Sequence, residues 1–277
     1  MAVGVGNGIG VPFTHTVSGG GGGSFILDDY PAYAAFSLQK IKSDYSGSAI
    51  RVRRSSDNAE QDIGFTVANV VDSAALLTFV SSGDGFVTTA YNQTGGTNFT
   101  QTTANNQPKI VSSGSLITDP NNGLAAMDFD GTYSSLKDGG LGTVVRLDSY
   151  RVGNTSDNKF IMLAGGSSKY SYVVDGGSSS PGLNGNYGTP TLYVNNVLKS
   201  VTTRTDIYNA VSIGTASVVN HFNATPNAWG TSVKIASYWA NGFHYDGLIQ
   251  EFIFYNAHNT TSDRSAITTL LMDKYVP

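Results

Sequence analysis

The stretch Asp246-Gly247-Leu248-Ile249-Gln250-Glu251-Phe252-Ile253-Phe254-Tyr255 decides the fold. After an Asp-Gly turn, the eight residues from Leu248 to Tyr255 are apolar on both faces. A run this short suits a strand better than a helix, and apolar positions on both faces predict a central strand covered on each side. Downstream, Ser262 is a good N-cap and Asp263 suits the positive end of a helix dipole. Ile267, Leu270, Leu271 and Tyr275 then form the apolar stripe of a closing helix from Ser262 to about Tyr275. Upstream, short apolar or alternating runs recur at 49–53, 85–91, 126–129, 144–151, 159–164, 170–174, 191–194, 210–213 and 232–238, most of them punctuated by Gly, Asn, Asp or Pro. That spacing is expected of an all-β sandwich of two antiparallel sheets. Two helices are predicted in the N-terminal half. One runs from Pro31 to Tyr45 with Pro at its first turn, and one from Asp72 to Val80 with Asp72 as cap.

Composition bounds the function. At 277 residues with 40% hydrophobic and 13% charged side chains, the chain can bury one large core. A net charge of −4, with the densest basic cluster limited to Arg51, Arg53 and Arg54, argues against nucleic acid as a partner. The absence of cysteine removes disulfides, a thiolate nucleophile and a cysteine zinc site. Met1 to Gly10 has neither a positive n-region nor an apolar h-region, and no run approaches a membrane span, so the expectation is a soluble protein without a classical signal peptide. Residues 1–24 read as a flexible Gly-rich arm, with an unbroken glycine run from Gly19 to Gly23 ahead of a β-sandwich domain at 25–277. The arm is either a disordered tail or a segment that orders against a neighbouring subunit.

The segments Ile50-Arg51-Val52-Arg53-Arg54-Ser55-Ser56-Asp57-Asn58-Ala59-Glu60-Gln61-Asp62-Ile63-Gly64-Phe65, Asp84 to Gln93 and Asn106 to Val111 resemble the opening of the α-L-arabinofuranosidase B catalytic domain. The same opening recurs in laminin-G-like, concanavalin-fold jelly-roll modules of bacteriophage structural proteins. Phe129-Asp130-Gly131-Thr132 and the Asp246–Tyr255 ending are similar to that superfamily too. The resemblance implies a concanavalin-like jelly roll more strongly than an activity. Asn92 departs from the Tyr-Asp-Gln that related sequences carry at positions 91–93.

Glycoside hydrolysis classically needs two carboxylates across one bond, and the count here is low. Glu60 and Glu251 are the two glutamates of the chain. The resemblance implies a nucleophilic Glu in an Asp-Leu-Glu-Asn-Gly type segment, but no Glu stands between residues 61 and 250. It implies a general acid in a Gly-Gly-Asp-Asn segment, where Ile235 to Gly242 stands instead, and the family's vicinal cysteines are missing. An Asp such as Asp175 or Asp206 is left as a substitute. His15, His221, His244 and His258 lack zinc-site spacing. No cofactor is expected. Asp128, Asp130, Asp157 and Asp175 are candidate Ca²⁺ ligands, set against the commoner reading of turn aspartates.

Two further groups stand out. Arg51, Arg53 and Arg54 lie near Asp57, Glu60 and Asp62 and predict a structural charge cluster. Trp229, Tyr238, Trp239, Asn241 and His244 form a candidate carbohydrate-binding platform, with core packing as the competing reading. Together these features lead to the expectation of a non-catalytic phage virion protein of capsid or tail. It would be a homo-oligomer docked to other virion proteins by its arm, with a host-surface glycan as a further contact. A hydrolase and a free-standing lectin are the alternatives.

Overall fold

The computed structural model describes residues 25–138, 148–155, 159–161, 163–166, 169–170, 173–175, 177–182, 191–211, 214–222, 234–236, 244–255 and 259–276. The arm at 1–24 lies outside them. The first half of the chain carries α1 (Ile26–Asp29), β1 (Ala34–Ser37), β2 (Ile50–Arg54), β3 (Glu60–Ile63), α2 (Ser73–Val80), β4 (Gly85–Ala90), β5 (Phe99–Thr100), β6 (Lys109–Ser112), β7 (Ser115–Leu116), β8 (Met127–Asp130) and β9 (Leu136–Asp138). The second half carries β10 (Asp148–Thr155), β11 (Lys159–Ile161), β12 (Leu163–Gly166), β13 (Lys169–Tyr170), β14 (Val173–Asp175), β15 (Thr191–Val194), β16 (Val197–Lys199), α3 (Arg204–Ala210), β17 (Ser217–Phe222), β18 (Lys234–Ile235), β19 (Asp246–Tyr255) and α4 (Thr261–Tyr275). The strand ladders are antiparallel, and the architecture is an all-β, jelly-roll-like sandwich with few helices.

β19 organises it. Its first half pairs with β8, its second half with β1, and its other edge with β10 along most of its length. From there one series of ladders runs through β8, β6, β4 and β2 to the edge strand β3, and another through β10, β17 and β15 to β16. The strand is covered on both faces, as its sequence predicts. Phe252 and Phe254 enter the main core with Phe36, Phe99, Val52, Val87, Ile110 and Phe129. Ile253 and Tyr255 face a second cluster with Ile267, Leu271 and Tyr275 of α4. Phe36 meets Phe99 edge-on at 4.5 Å, and Phe99 stacks on Phe254 at 6.0 Å, arrangements that aromatic quadrupoles favour.

The same double coverage corrects the helix expected at Pro31–Tyr45. All four residues of β1 are buried, with Ala34 and Phe36 in the main core and Ala35 in the α4 cluster. Antiparallel pairing of Ala34 with Phe254 and Ser37 with Glu251 overrides the local helical spacing. The Tyr91-Asn92-Gln93 segment secures β1 from the other side. Asn92 Oδ1 accepts from Ala35 N at 3.0 Å, while Gln93 accepts from Ile41 N and donates to Ser37 O and Gln39 O. Asn92 Nδ2 also donates to Thr97 O, a bond an aspartate could not make.

α2 starts as expected, with Asp72 accepting from Ala75 N at 2.9 Å. α4 is capped two residues earlier than Ser262, by Thr260, whose Oγ1 accepts from Asp263 N. Of the strand expected at 210–213, Ala210 is the last residue of α3 and Val211 its C-cap, and 212–213 lie outside the described residues; the start of α3 is fixed by a reciprocal capping box between Thr203 and Asp206. Among the described residues, no helix is long and apolar enough to cross a membrane.

Candidate functional site: a carboxylate face on β8 and β19

Along β8 the side chains alternate. Met127 and Phe129 point into the core, and Asp128 and Asp130 therefore share the opposite face. Asp246 lies directly across from Asp130 and Leu248 across from Asp128, so Asp246 joins the same face. On the next strand Lys109 is the cross-strand partner of Asp128, and beyond it come Phe86 and Arg53. Lys109 Nζ and the Arg53 guanidinium both sit over the Phe86 ring, at 5.5 and 4.8 Å from its centroid. The outcome is a half-exposed polar row crossing the sheet, with three carboxylates at one end and two cations further along.

The carboxylates differ in environment. Burial, and then the neighbouring Asp246 carboxylate, pushes the Asp128 carboxyl above its ordinary value against the opposing pull of Lys109. Burial acts in the same sense on Asp130, but its Oδ1 accepts from the backbone N–H groups of Thr132, Tyr133 and Ser134 at 2.9–3.1 Å, and the balance lies below the ordinary value. Asp130 thus closes the turn after β8, and Asp246 packs on that turn. Gly131 has φ +68°, and a Cβ there would lie 2.8 Å from Asp246 Cβ, so glycine is required for both conformation and space. At the rim, Tyr133, 58% exposed, meets the ring of His244 edge-on at 5.6 Å. A face that pairs a carboxyl raised above its ordinary value with a second acid and an exposed ring has the elements for acid–base chemistry.

Of the residues singled out in the sequence, His244 therefore lies beside this face, and Trp229, Tyr238, Trp239 and Asn241 lie outside the described residues. The arginines take separate partners. Arg51 bonds Glu60 at 2.7 Å and Asp62 at 3.0 Å, and Arg54 grips Asp57 at 2.7 Å. Arg53 instead donates to Gln107 and Asn58. Tyr91 Oη donates to Asp62 at 2.7 Å. Asp175 Oδ1 accepts from Gly177 N, Asp206 caps α3, and Asp157 lies outside the described residues. Among the described residues, no group of three or more His, Cys, Asp or Glu is placed to hold a metal ion. Asp246 was missed as a candidate because its partners are 116 and 118 positions away; its signal was the Asp-Gly step heading β19.

Both glutamates are committed elsewhere. Glu60 is held by Arg51, and Glu251, 1% exposed, accepts from Ser37 Oγ at 2.7 Å and Tyr275 Oη at 2.6 Å beneath α4.

The family described as alpha-L-arabinofuranosidase B, catalytic, matches residues 26–179, more than half of the chain. No curated protein matches it. Among solved structures, the chain resembles a GH54 α-L-arabinofuranosidase variant soaked with 4-nitrophenyl α-L-arabinofuranoside (TM-score 0.57) and a GH54 α-L-arabinofuranosidase soaked with a cyclic sulfate inhibitor (TM-score 0.58). It also resembles an arabinofuranosidase complexed with arabinofuranosyl-α-1,2-xylobiose (TM-score 0.57). Each is 14% identical, with 91% of this chain and 65% of the other covered, so the likeness is one of fold and this chain spans about two thirds of their length. The family match overturns the expected identity as a phage structural module. With it go the non-catalytic role, the virion location, and the virion and homo-oligomeric partners, since those rested on an opening motif shared between enzymes and phage modules and on a glycine-rich arm. On a match that extends from α1 through β14, the chain belongs to the family of α-L-arabinofuranosidase B catalytic domains.

Proposed function

We propose that this chain is a glycoside hydrolase domain that cleaves α-L-arabinofuranosyl linkages, with Asp128 and Asp246 as its working carboxyl groups. Family membership supports the reaction class. The observation that carries the residue assignment is Asp128 itself. It is a half-buried carboxyl on an accessible sheet face, raised by burial and by the adjacent Asp246, whereas the other carboxyls with a resolved shift among the described residues are lowered. A carboxyl whose proton affinity is raised by burial and by a second acid beside it suits the role of general acid. Asp128 delivers its proton to the glycosidic oxygen as the C–O bond breaks. Asp246 meets the positive charge growing on the sugar; water then adds its oxygen to the anomeric carbon and gives its proton to the Asp128 carboxylate, restoring the acid. The pairing of two aspartates accommodates the lack of a Glu between residues 61 and 250 and the structural engagement of Glu60 and Glu251.

The test is release of 4-nitrophenol from 4-nitrophenyl α-L-arabinofuranoside. Asp128→Asn and Asp246→Asn should each lower kcat by about 100-fold or more, with circular dichroism unchanged. Wild-type rates in both variants would refute the assignment, and no release by the wild-type chain would refute the hydrolase reading itself.

A further inference from the structure

A second feature lies away from the carboxylate face, where the segment before β2 meets the segment after β3. Here Tyr45 and Phe65 line a cleft of about 480 Å³, within the range of small-molecule sites. Its aromatic wall is pre-set. Tyr45 Oη donates to Ser48 O at 2.8 Å, and the ring meets Phe65 edge-on at 6.3 Å. It also lies so close to the backbone that a Cβ at Gly47 would come within 2.5 Å of Tyr45 Oη. The opposite lip is a tight turn in which Thr66 N donates to Val70 O and Asn69 N to Thr66 O, tied down by bridges from Gln39 to Val70 and Phe65 to Val71. Ser46, Ser48, Thr66 and Asn69 supply hydroxyl and amide groups, and the lining contains no carboxylate and a single cation, Lys40.

We infer that this cleft is a saccharide-binding subsite, separate from the Asp128 face, that takes the neutral oligosaccharide backbone of the glycan. An aromatic wall suits the apolar face of a sugar ring, and side-chain hydroxyls and amides, each both donor and acceptor, suit its hydroxyl groups. The near absence of charge favours a neutral ligand over an anionic one. The proposal rests on the hydrolase reading for the class of glycan, a β-linked pentose backbone such as the xylobiose unit in the ligand of one fold relative.

Gly64 provides a clean perturbation. It lines the cleft, its carbonyl accepts from Asp72 N, and a Cβ added there meets no atom within 4 Å, so a large side chain fills the space without displacing the backbone. The probe is xylotetraose, which lacks any arabinofuranosyl bond and reports binding alone, titrated into the full chain by calorimetry. Saturable binding by the wild type is expected. Gly64→Trp should weaken it at least tenfold while leaving 4-nitrophenol release unchanged. Tyr45→Ala serves as the second variant, with the same loss expected, in case the tryptophan disturbs folding. No saturable binding by the wild type, or equal affinity in both folded variants, would overturn the subsite. Binding that persists in a chain without hydrolase activity would sink the hydrolase reading and leave the subsite standing.

Discussion

Replacing Glu251 by Gln separates a strut from a catalyst. The carboxylate joins β1, β19 and α4. Its Oε2 accepts from Ser37 Oγ at 2.7 Å and Tyr275 Oη at 2.6 Å, with Lys274 Nζ at 3.5 Å, and its Oε1 finds no partner. Hydrogen bonds to a charged group are worth about 1.5–3 kcal/mol each, roughly twice their neutral counterparts. The amide keeps an acceptor in place but not the charge, so the two short bonds together lose about 1.5–3 kcal/mol. Relief from burying an ionised group offsets part of that. The expected net cost is about 1–2 kcal/mol, read as a lower urea midpoint with an unchanged slope. Below the unfolding transition, kcat on the nitrophenyl arabinoside should be that of the wild type. A stability equal to wild type would refute the strut. A hundredfold loss of kcat at unchanged stability would go further, making Glu251 a reacting carboxylate and displacing Asp128 and Asp246 from that role.

Two other outcomes follow from the core. Phe99, fully buried between Phe36 and Phe254, should cost about 3–5 kcal/mol when changed to Ala, measured by urea unfolding, and a loss under about 1 kcal/mol would mean the sheets close over the gap. His221 is fully buried, and burial lowers its pKa to about 4 from an unfolded value near 6.5. The fold holds the neutral ring, so its contribution is complete above pH 6.5 and is lost as pH falls toward 4, amounting to about 3 kcal/mol. Urea midpoints measured from pH 7 to pH 4.5 should show that slope in the wild type and a flatter one in His221→Phe.

What the sequence revealed follows from the range of the interactions involved. Strands β4, β8 and β15 could be read because each alternates or clusters apolar residues between turn formers, and the Asp72 cap because it acts on a residue three positions away. β1 could not be read. Its Ala-Ala-Phe-Ser is equally compatible with a helix, and only pairing with residues more than two hundred positions later makes it a strand. α3 was hidden because Thr203 and Asp206 resemble any polar turn until the reciprocal bonds form. The carboxylate face was half visible. Asp128 and Asp130 were noticed as oxygen donors, but the burial and the Asp246 neighbour that set Asp128 apart arise only when β8 and β19 pair. The functional class was misjudged for a different reason. The shared opening motif serves β1 to β6 packing and does not distinguish an enzyme from a structural module.

The position of β19 has a consequence for how the protein is made. A ribosome releases the chain in order, and the strand that pairs with β1, β8 and β10 emerges more than two hundred residues after β1. At about 5–20 residues per second, some ten seconds or more separate the appearance of β1 from that of its partner. During that wait the edges of β1, β8 and β10 that β19 covers lack that strand, and those edges are open to other chains. The yield of soluble protein should therefore depend on chaperones that shield nascent sheet edges, and variants that weaken β19 should aggregate during synthesis before they show any loss of equilibrium stability.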